Sequence, residues 1–239
     1  MKKMMKAVAA LMLMMTVVFA AGCTKNDNPD NGGNNNGGSG GNNHAYVDLG
    51  LPSGTLWATC NVGANSPKDY GDYFSWAETA PKENYFSTNY KWYVGDRRLT
   101  KYCVHSHIGF QGFVDGLTVL LPEDDAATVN WGTDWCIPSY DQWKELYENT
   151  THTWKKQNGV YGRLFTASNG KTLFLPAAGG CANTGAWAAG DFGLYWSNSL
   201  YSDDSRSAWY FDFSESNYQM DAGYARSNGF RVRPVRSAQ

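Results

Sequence analysis

The sequence is poor in charge and in the motifs that organise catalysis. Only 18% of the 239 residues are Asp, Glu, Lys or Arg, and the formal net charge is −2, so there is no basic field to hold a nucleic-acid backbone. No long block of one sign supplies such a field locally. Nucleic acid is therefore not an expected partner. A Ser nucleophile elbow, a Gly-rich phosphate loop and a metalloprotease helix motif are all missing. No catalytic residue, metal or cofactor is assigned on this basis. Aromatic residues are plentiful. With 15 Tyr, 11 Phe and 10 Trp in a chain that is 42% hydrophobic, most of the molecule can bury a substantial core, which excludes disorder over most of its length.

The N-terminus reads as an address. Lys2, Lys3 and Lys6 precede an apolar run from Ala7 to Ala21, and Ala20, Ala21 and Gly22 lead to Cys23. The run is short for a membrane span. Small residues directly before a Cys resemble a bacterial lipobox, which implies a signal peptide over residues 1–22 and an acylated Cys23 as the mature N-terminus. Removing three lysines leaves 17 basic against 22 acidic residues, a net of −5. Residues 23–43 are nearly all Asn, Gly, Asp and Ser after the Cys, with no apolar surface to offset the entropy of ordering, and read as a flexible tether. The expected location is the outer membrane, lipid-anchored, at the cell surface.

From residue 44 to 239 the composition stays even, so one head domain is expected. Short apolar or alternating runs predict strands at Ala45 to Leu51, Thr55 to Val62, Arg163 to Ala167, Thr172 to Leu175, Leu194 to Ser199, Ala208 to Phe213 and Phe230 to Val235. Between Ala208 and Phe213 the residues Trp209, Phe211 and Phe213 alternate with Ala208, Tyr210 and Asp212, the pattern of a half-buried strand. Phe230 and Val232 alternate in the same way with Arg231 and Arg233. The clearest helix starts after Ser139, whose Ser-x-x-Gln capping box with Gln142 leads into Trp143, Leu146 and Tyr147, and ends near Asn149. A short helix is also expected after Ser66 and Pro67, through Tyr70 to Tyr73. The fold class is α+β, with short antiparallel strands, one or two helices and long loops.

Several segments carry a resemblance. Val47-Asp48-Leu49-Gly50-Leu51-Pro52-Ser53-Gly54-Thr55-Leu56-Trp57-Ala58, the stretch Asp69 to Thr79, and Trp135-Cys136-Ile137-Pro138-Ser139 resemble the major paralogous domain (FISUMP) family of bacterial lipoproteins. Leu173-Phe174-Leu175-Pro176-Ala177-Ala178-Gly179, Tyr195-Trp196-Ser197 and Gly229-Phe230-Arg231-Val232-Arg233-Pro234-Val235 follow in the same order. The resemblance implies a C-type-lectin-like head related to the formylglycine-generating enzymes, with first and last strands close together and a ligand surface of irregular loops. The Glu-Pro-Asn or Gln-Pro-Asp loop of calcium-dependent sugar binding is missing, as is the Arg-Gly-Gly-Ser-Trp block of the oxidases.

Four candidate features remain. Cys103, His105 and His107 lie at i, i+2 and i+4, so on a strand they would share one face; this is the alternative reading, a metal-dependent hydrolase or oxidase. Cys60, Cys103, Cys136 and Cys181 could form disulfides or stay as buried thiols. Glu123, Asp124 and Asp125 read as a solvated acidic loop after Pro122 rather than as a catalytic pair. The late polar turns read as a binding surface: Tyr201, Asp203, Asp204, Ser205 and Arg206, then Asn217, Tyr218, Gln219, Asp221, Tyr224 and Arg226. Tyr, Ser, Asn and Arg make adaptable contacts of this kind. The expected function is a non-enzymatic, lipid-anchored binding head for an extracellular or periplasmic glycan or protein.

Overall fold

A computed structural model describes residues 44–220 and 222–237. The expected signal peptide, the expected acylation site Cys23, the expected tether and the candidate binding residue Asp221 lie outside the described residues. Within them the chain is mixed α+β, with short antiparallel sheets and few helices.

The two ends of the head meet on one strand. Strand β1 (Tyr46–Asp48) and the last strand both pair antiparallel with β2 (Thr55–Ala58), and Val235 and Val47 flank Trp57 in register. The fold thus closes on itself within residues 44–237. A small hairpin follows, β3 (Tyr93–Val94) with β4 (Arg98–Leu99). Helix α1 (Ala126–Trp131) and helix α2 (Tyr140–Glu148) lead into a three-stranded meander of β5 (Thr150–Gln157), β6 (Val160–Ala167) and β7 (Thr172–Pro176). Then come the hairpin β8 (Gly180–Ala182) and β9 (Gly185–Trp187), a sheet of β10 (Gly193–Leu200), β11 (Ser207–Phe213), β12 (Tyr218–Gln219) and β13 (Gly223–Ala225), and the closing strand β14 (Val235–Ser237).

Helix α2 forms as its sequence requires. The Ser139 side chain accepts from Gln142 N at 3.1 Å, and the Gln142 side chain accepts from Ser139 N at 2.9 Å, so two otherwise orphaned donors are satisfied. Its apolar side, Trp143 and Leu146, is fully buried, with Trp143 stacked on Phe211 at 4.9 Å.

The sheet of β10 and β11 separates two hydrophobic clusters and is buried on both faces. Leu194, Trp196, Ala208 and Tyr210 enter one cluster with Trp76, Tyr102 and Phe230; Tyr195, Phe211 and Phe213 enter the other with Trp57, Trp143 and Leu175. The expectation of a half-buried strand from Ala208 to Phe213 is corrected accordingly. Tyr210 on the supposed outer face is covered by the ring of Phe230 at 5.5 Å.

Other expectations also change. The segment Phe230 to Val235 is not one strand: Phe230 and Arg231 make single bridges, and pairing resumes only at Val235, after Pro234. Arg231 and Arg233 point inward. Arg233 is fully buried, donating from Nε to Asn61 Oδ1 at 2.8 Å and from Nη1 to the Ala58 carbonyl at 2.9 Å, and burial lowers its pKa to about 10. Arg231 lies 3.3 Å from the Tyr73 ring centroid and donates to the Ala178 carbonyl at 3.2 Å. Cation–π contact and carbonyl acceptors replace the water these guanidiniums lose. The segment after Ser66 and Pro67 makes only a turn, with Asp69 N donating to Ser66 O. It stops at Gly71, where φ is +75° and an added Cβ would collide with the Val62 carbonyl.

The acidic segment is mostly not solvated. Asp124 and Asp125 are 2% and 3% exposed. Asp125 caps α1 through the amides of Ala127 and Thr128 and also accepts from Ile137 N at 2.8 Å. Asp124 accepts from Lys101 Nζ at 2.5 Å and Tyr102 Oη at 2.8 Å. Both carboxylates are therefore structural.

Candidate functional site

The late turns and α2 enclose a groove of about 540 Å³, lined by Tyr140, Lys144, Tyr147, Glu148, Asn217, Tyr218, Gln219 and Met220. The helix supplies its four residues at i, i+4, i+7 and i+8, one face of a helical period. Trp143 and Leu146 on the buried side fix the rotation of that face. The opposite wall is the turn from β11 to β12. Ser214 N donates to the Asn217 carbonyl at 2.8 Å, and Asn217 N donates to Ser214 Oγ at 3.2 Å.

This wall is fastened from beneath. Arg163 on β6 donates through Nη2 to the carbonyls of Ser214 and Asn217, at 2.6 and 3.3 Å. Its Nη1 meets His152 Nδ1 at 3.0 Å, an arrangement in which the imidazole accepts and is neutral. Burial and the Arg163 charge both push the His152 pKa down, which keeps that nitrogen free to accept. Tyr147 is sandwiched between His152 and Tyr218, with centroids at 4.0 and 3.6 Å. Tyr218, 41% exposed, thus presents a face whose position is set by a stack of rings rather than by its own loop.

The aromatic surface runs on from the groove. Tyr140 meets Trp209 at 4.6 Å, and Trp209 meets Tyr201 edge-on at 4.9 Å. Beside Tyr201 the turn closes on itself: Arg206 grips both oxygens of Asp204 at 2.9 Å, and its amide donates to Asp204 Oδ1 at 3.0 Å. Burial works against the Asp204 carboxylate, but the Arg206 bonds outweigh it and hold its pKa below the ordinary value. The negative charge of Asp203 is the main reason the Tyr201 phenol is raised.

Of the expected binding residues, Tyr201, Asp203, Asp204 and Arg206 form one end of this surface, and Asn217 and Tyr218 line the groove. Three others turn inward, against expectation. Tyr224 sits opposite Ala208 in register and packs on Phe230 and Tyr210 at 5.0 and 5.5 Å, on the far face of the sheet from Trp209. Ser205 is fully buried, its hydroxyl accepting from Val104 N. Arg226 is fully buried between Trp76, Tyr90 and Tyr102. The helix residues Tyr140, Lys144, Tyr147 and Glu148 were not anticipated as site residues. Their spacing on a helix already legible in the sequence was the available signal.

The residues Cys103, His105 and His107 are not on a strand, so their alternation does not align them. The buried Cys103 thiol donates to the His105 carbonyl at 3.2 Å, and His105 Nε2 is engaged with the Ser202 carbonyl at 2.8 Å. Among the described residues no group of three His, Cys, Asp or Glu is arranged to hold a metal ion. Cys103, Cys136 and Cys181 are free thiols, so none of the full pairings among the four head cysteines forms. Burial raises the Cys136 thiol to about 12, which makes it a poor nucleophile.

No family model, curated protein or solved structure gives a significant match to this chain.

Proposed function

We propose that this is a non-enzymatic, lipid-anchored outer-membrane protein of the FISUMP type, whose C-type-lectin-like head binds a ligand in the groove between α2 and the β11–β12 turn. The meeting of β1 and β14 on β2 supports that fold reading, since the resemblance places first and last strands together. The lipid anchor and surface location rest on the order of residues before Cys23.

The observation that carries the binding reading is the presentation of Tyr218 on Tyr147. A ligand meets a preordered aromatic face, so little side-chain entropy is lost on contact. Around that face stand a cation, Lys144, an anion, Glu148, and two amides, Asn217 and Gln219. Flat rings ringed by amide and charged groups suit a glycan, whose C–H face stacks on Tyr while its hydroxyls exchange hydrogen bonds with the rim. An extracellular or periplasmic protein is the second reading, favoured by the run from Tyr140 through Trp209 to Tyr201, which extends past the reach of a single sugar ring.

The test is a glycan and surface-protein array probed with the head from His44 onward. Tyr218→Ala is expected to weaken retention of the captured ligand about tenfold, the loss typical of a central aromatic contact. Equal retention by a Tyr218→Ala head with an unchanged near-ultraviolet circular dichroism spectrum refutes the groove as the site.

A further inference from the structure

A second surface lies away from the groove, at the tip made by the β3–β4 hairpin and residues 105–114. Phe110, Gln111, Gly112, Phe113 and Val114 are five consecutive exposed residues. Together with Val94 on the hairpin, Phe110, Phe113 and Val114 make four of the ten large hydrophobic side chains exposed among the described residues. A shallow cavity of about 380 Å³ opens between Phe110, Phe113 and Thr100.

These side chains are held out by the fold rather than left over from it. The loop has its own small core of Leu99, Cys103 and Ile108. Leu99 N donates to the Ile108 carbonyl at 2.9 Å, which ties hairpin to loop. Asp115 turns back and accepts from the amides of Tyr102 and Cys103 at 2.7 and 2.9 Å, so backbone donors absorb its charge. Gly109 lies so close to the Phe113 backbone that a Cβ would collide with it, which fixes the crossing of the loop between Phe110 and Phe113.

Two arginines stand at the turn of the hairpin, on the rim of the tip. Arg97 and Arg98 are exposed and make no salt bridge among the described residues, Arg98 donates to the His107 carbonyl, and His105 and His107 lie side by side at 5.6 Å. Asp96 is the one exposed carboxylate of the hairpin.

We propose that this tip seats on an anionic lipid surface, with Phe110, Phe113 and Val114 entering the headgroup region and Arg97 and Arg98 meeting lipid phosphates. A few protruding apolar side chains offer far less area than the ~800 Å² per partner of a stable protein interface. A bilayer interface accepts such a projection and rewards aromatic tips with cations above them. Net negative charge elsewhere on the head would orient it tip-first. The proposal is independent of the groove.

The experiment is co-sedimentation of the head from His44 onward, free of any acyl chain, with phosphatidylcholine vesicles and with mixed phosphatidylcholine and phosphatidylglycerol vesicles. The head is expected to bind the mixed vesicles, and F110S/F113S to lower its partition coefficient at least tenfold, roughly the loss of two partly buried rings. R97Q/R98Q is expected to lower it about tenfold on the mixed vesicles, with little change on neutral ones. Tyr218→Ala should bind vesicles as the unaltered head does, which separates this surface from the groove. The proposal is overturned if the unaltered head stays in the supernatant with anionic vesicles. It is equally overturned if F110S/F113S sediments like the unaltered head while keeping its near-ultraviolet spectrum, or if the tip captures only a protein.

Discussion

Replacing Arg226 by Met tests whether buried guanidiniums hold the long loops of this molecule in place. Arg226 donates from Nε to Tyr90 Oη at 2.9 Å, from Nη1 to the carbonyls of Tyr102 and Ser205 at 3.1 and 2.8 Å, and from Nη2 to the Lys101 carbonyl at 3.3 Å. Its Cζ lies 4.7 Å from the Trp76 ring centroid. The fork therefore joins the segments around residues 90, 102 and 205 to the strand end that carries residue 226. Four charge-assisted bonds at roughly 1.5 kcal/mol each, and a desolvated cation–π contact at about 2 kcal/mol, give a gross contribution of ~8 kcal/mol. Removing the cation also returns its desolvation cost of several kcal/mol. The net loss expected for Arg226→Met is about 2–4 kcal/mol, which for a domain of this size lowers Tm by roughly 5–12 °C.

Differential scanning calorimetry of the head measures this directly. Arg97→Met serves as the control, because Arg97 is exposed and its loss should change stability by less than about 0.5 kcal/mol. Arg226→Lys is the sharper arm. It keeps the charge and most of the burial cost but cannot span four acceptors from one planar group, so it should destabilise at least as much as Met. The reasoning fails if Arg226→Met melts within about 2 °C of the unaltered head, or if Lys restores its stability.

Two further outcomes follow from local chemistry. Ser139→Ala removes the reciprocal cap of α2 and should cost about 1 kcal/mol, seen as a fall in Tm of roughly 2–4 °C. Burial raises the Asp212 carboxyl to about 6. A pKa raised by folding means the fold favours the protonated form, so this stability is present below the ordinary carboxylate pKa of about 4 and is lost as pH rises through about 6. Asp212→Asn should therefore stabilise the head by about 1 kcal/mol near pH 8, after allowance for solvent screening, and bring no gain near pH 4; thermal melts at the two pH values decide it.

What the sequence discloses is what short-range chemistry determines. Ser139 and Gln142 announce α2, and the structure places the helix within a residue of its expected span. The aromatic runs of β10 and β11 are equally plain. The hairpin of β5 and β6 escaped notice although Asn158 and Gly159, both at positive φ, are a strong two-residue turn signal. Its outer strand is Thr- and Lys-rich with one face in water, so no apolar run marked it. The inward arginines were hidden for a different reason. Arg231 and Arg233 occupy the polar phase of an alternating pattern, and only rings and carbonyls distant in sequence make their burial tolerable. Asp124 and Asp125 likewise depend on Lys101, Tyr102 and Ile137, none of which is adjacent to them.

The candidate site shows how one residue of register sorts loop side chains that composition cannot tell apart. Tyr218 pairs with Phe213, and Tyr224 pairs with Ala208. Positions 213 and 208 on β11 differ by an odd number, so their side chains leave opposite faces of the sheet. Phe213 belongs to the cluster beneath α2, and Tyr218 is carried to the groove; Ala208 belongs to the other cluster, and Tyr224 follows it inward. Both tyrosines look alike in the sequence, each in a polar turn next to an aromatic strand. A single-residue slip of the β11–β12 pairing would take Tyr218 off Tyr147 and put Gln219 in its place. The bonds from Arg163 to the carbonyls of Ser214 and Asn217 hold this register, which makes a buried cation on a neighbouring sheet the determinant of which side chain faces the groove.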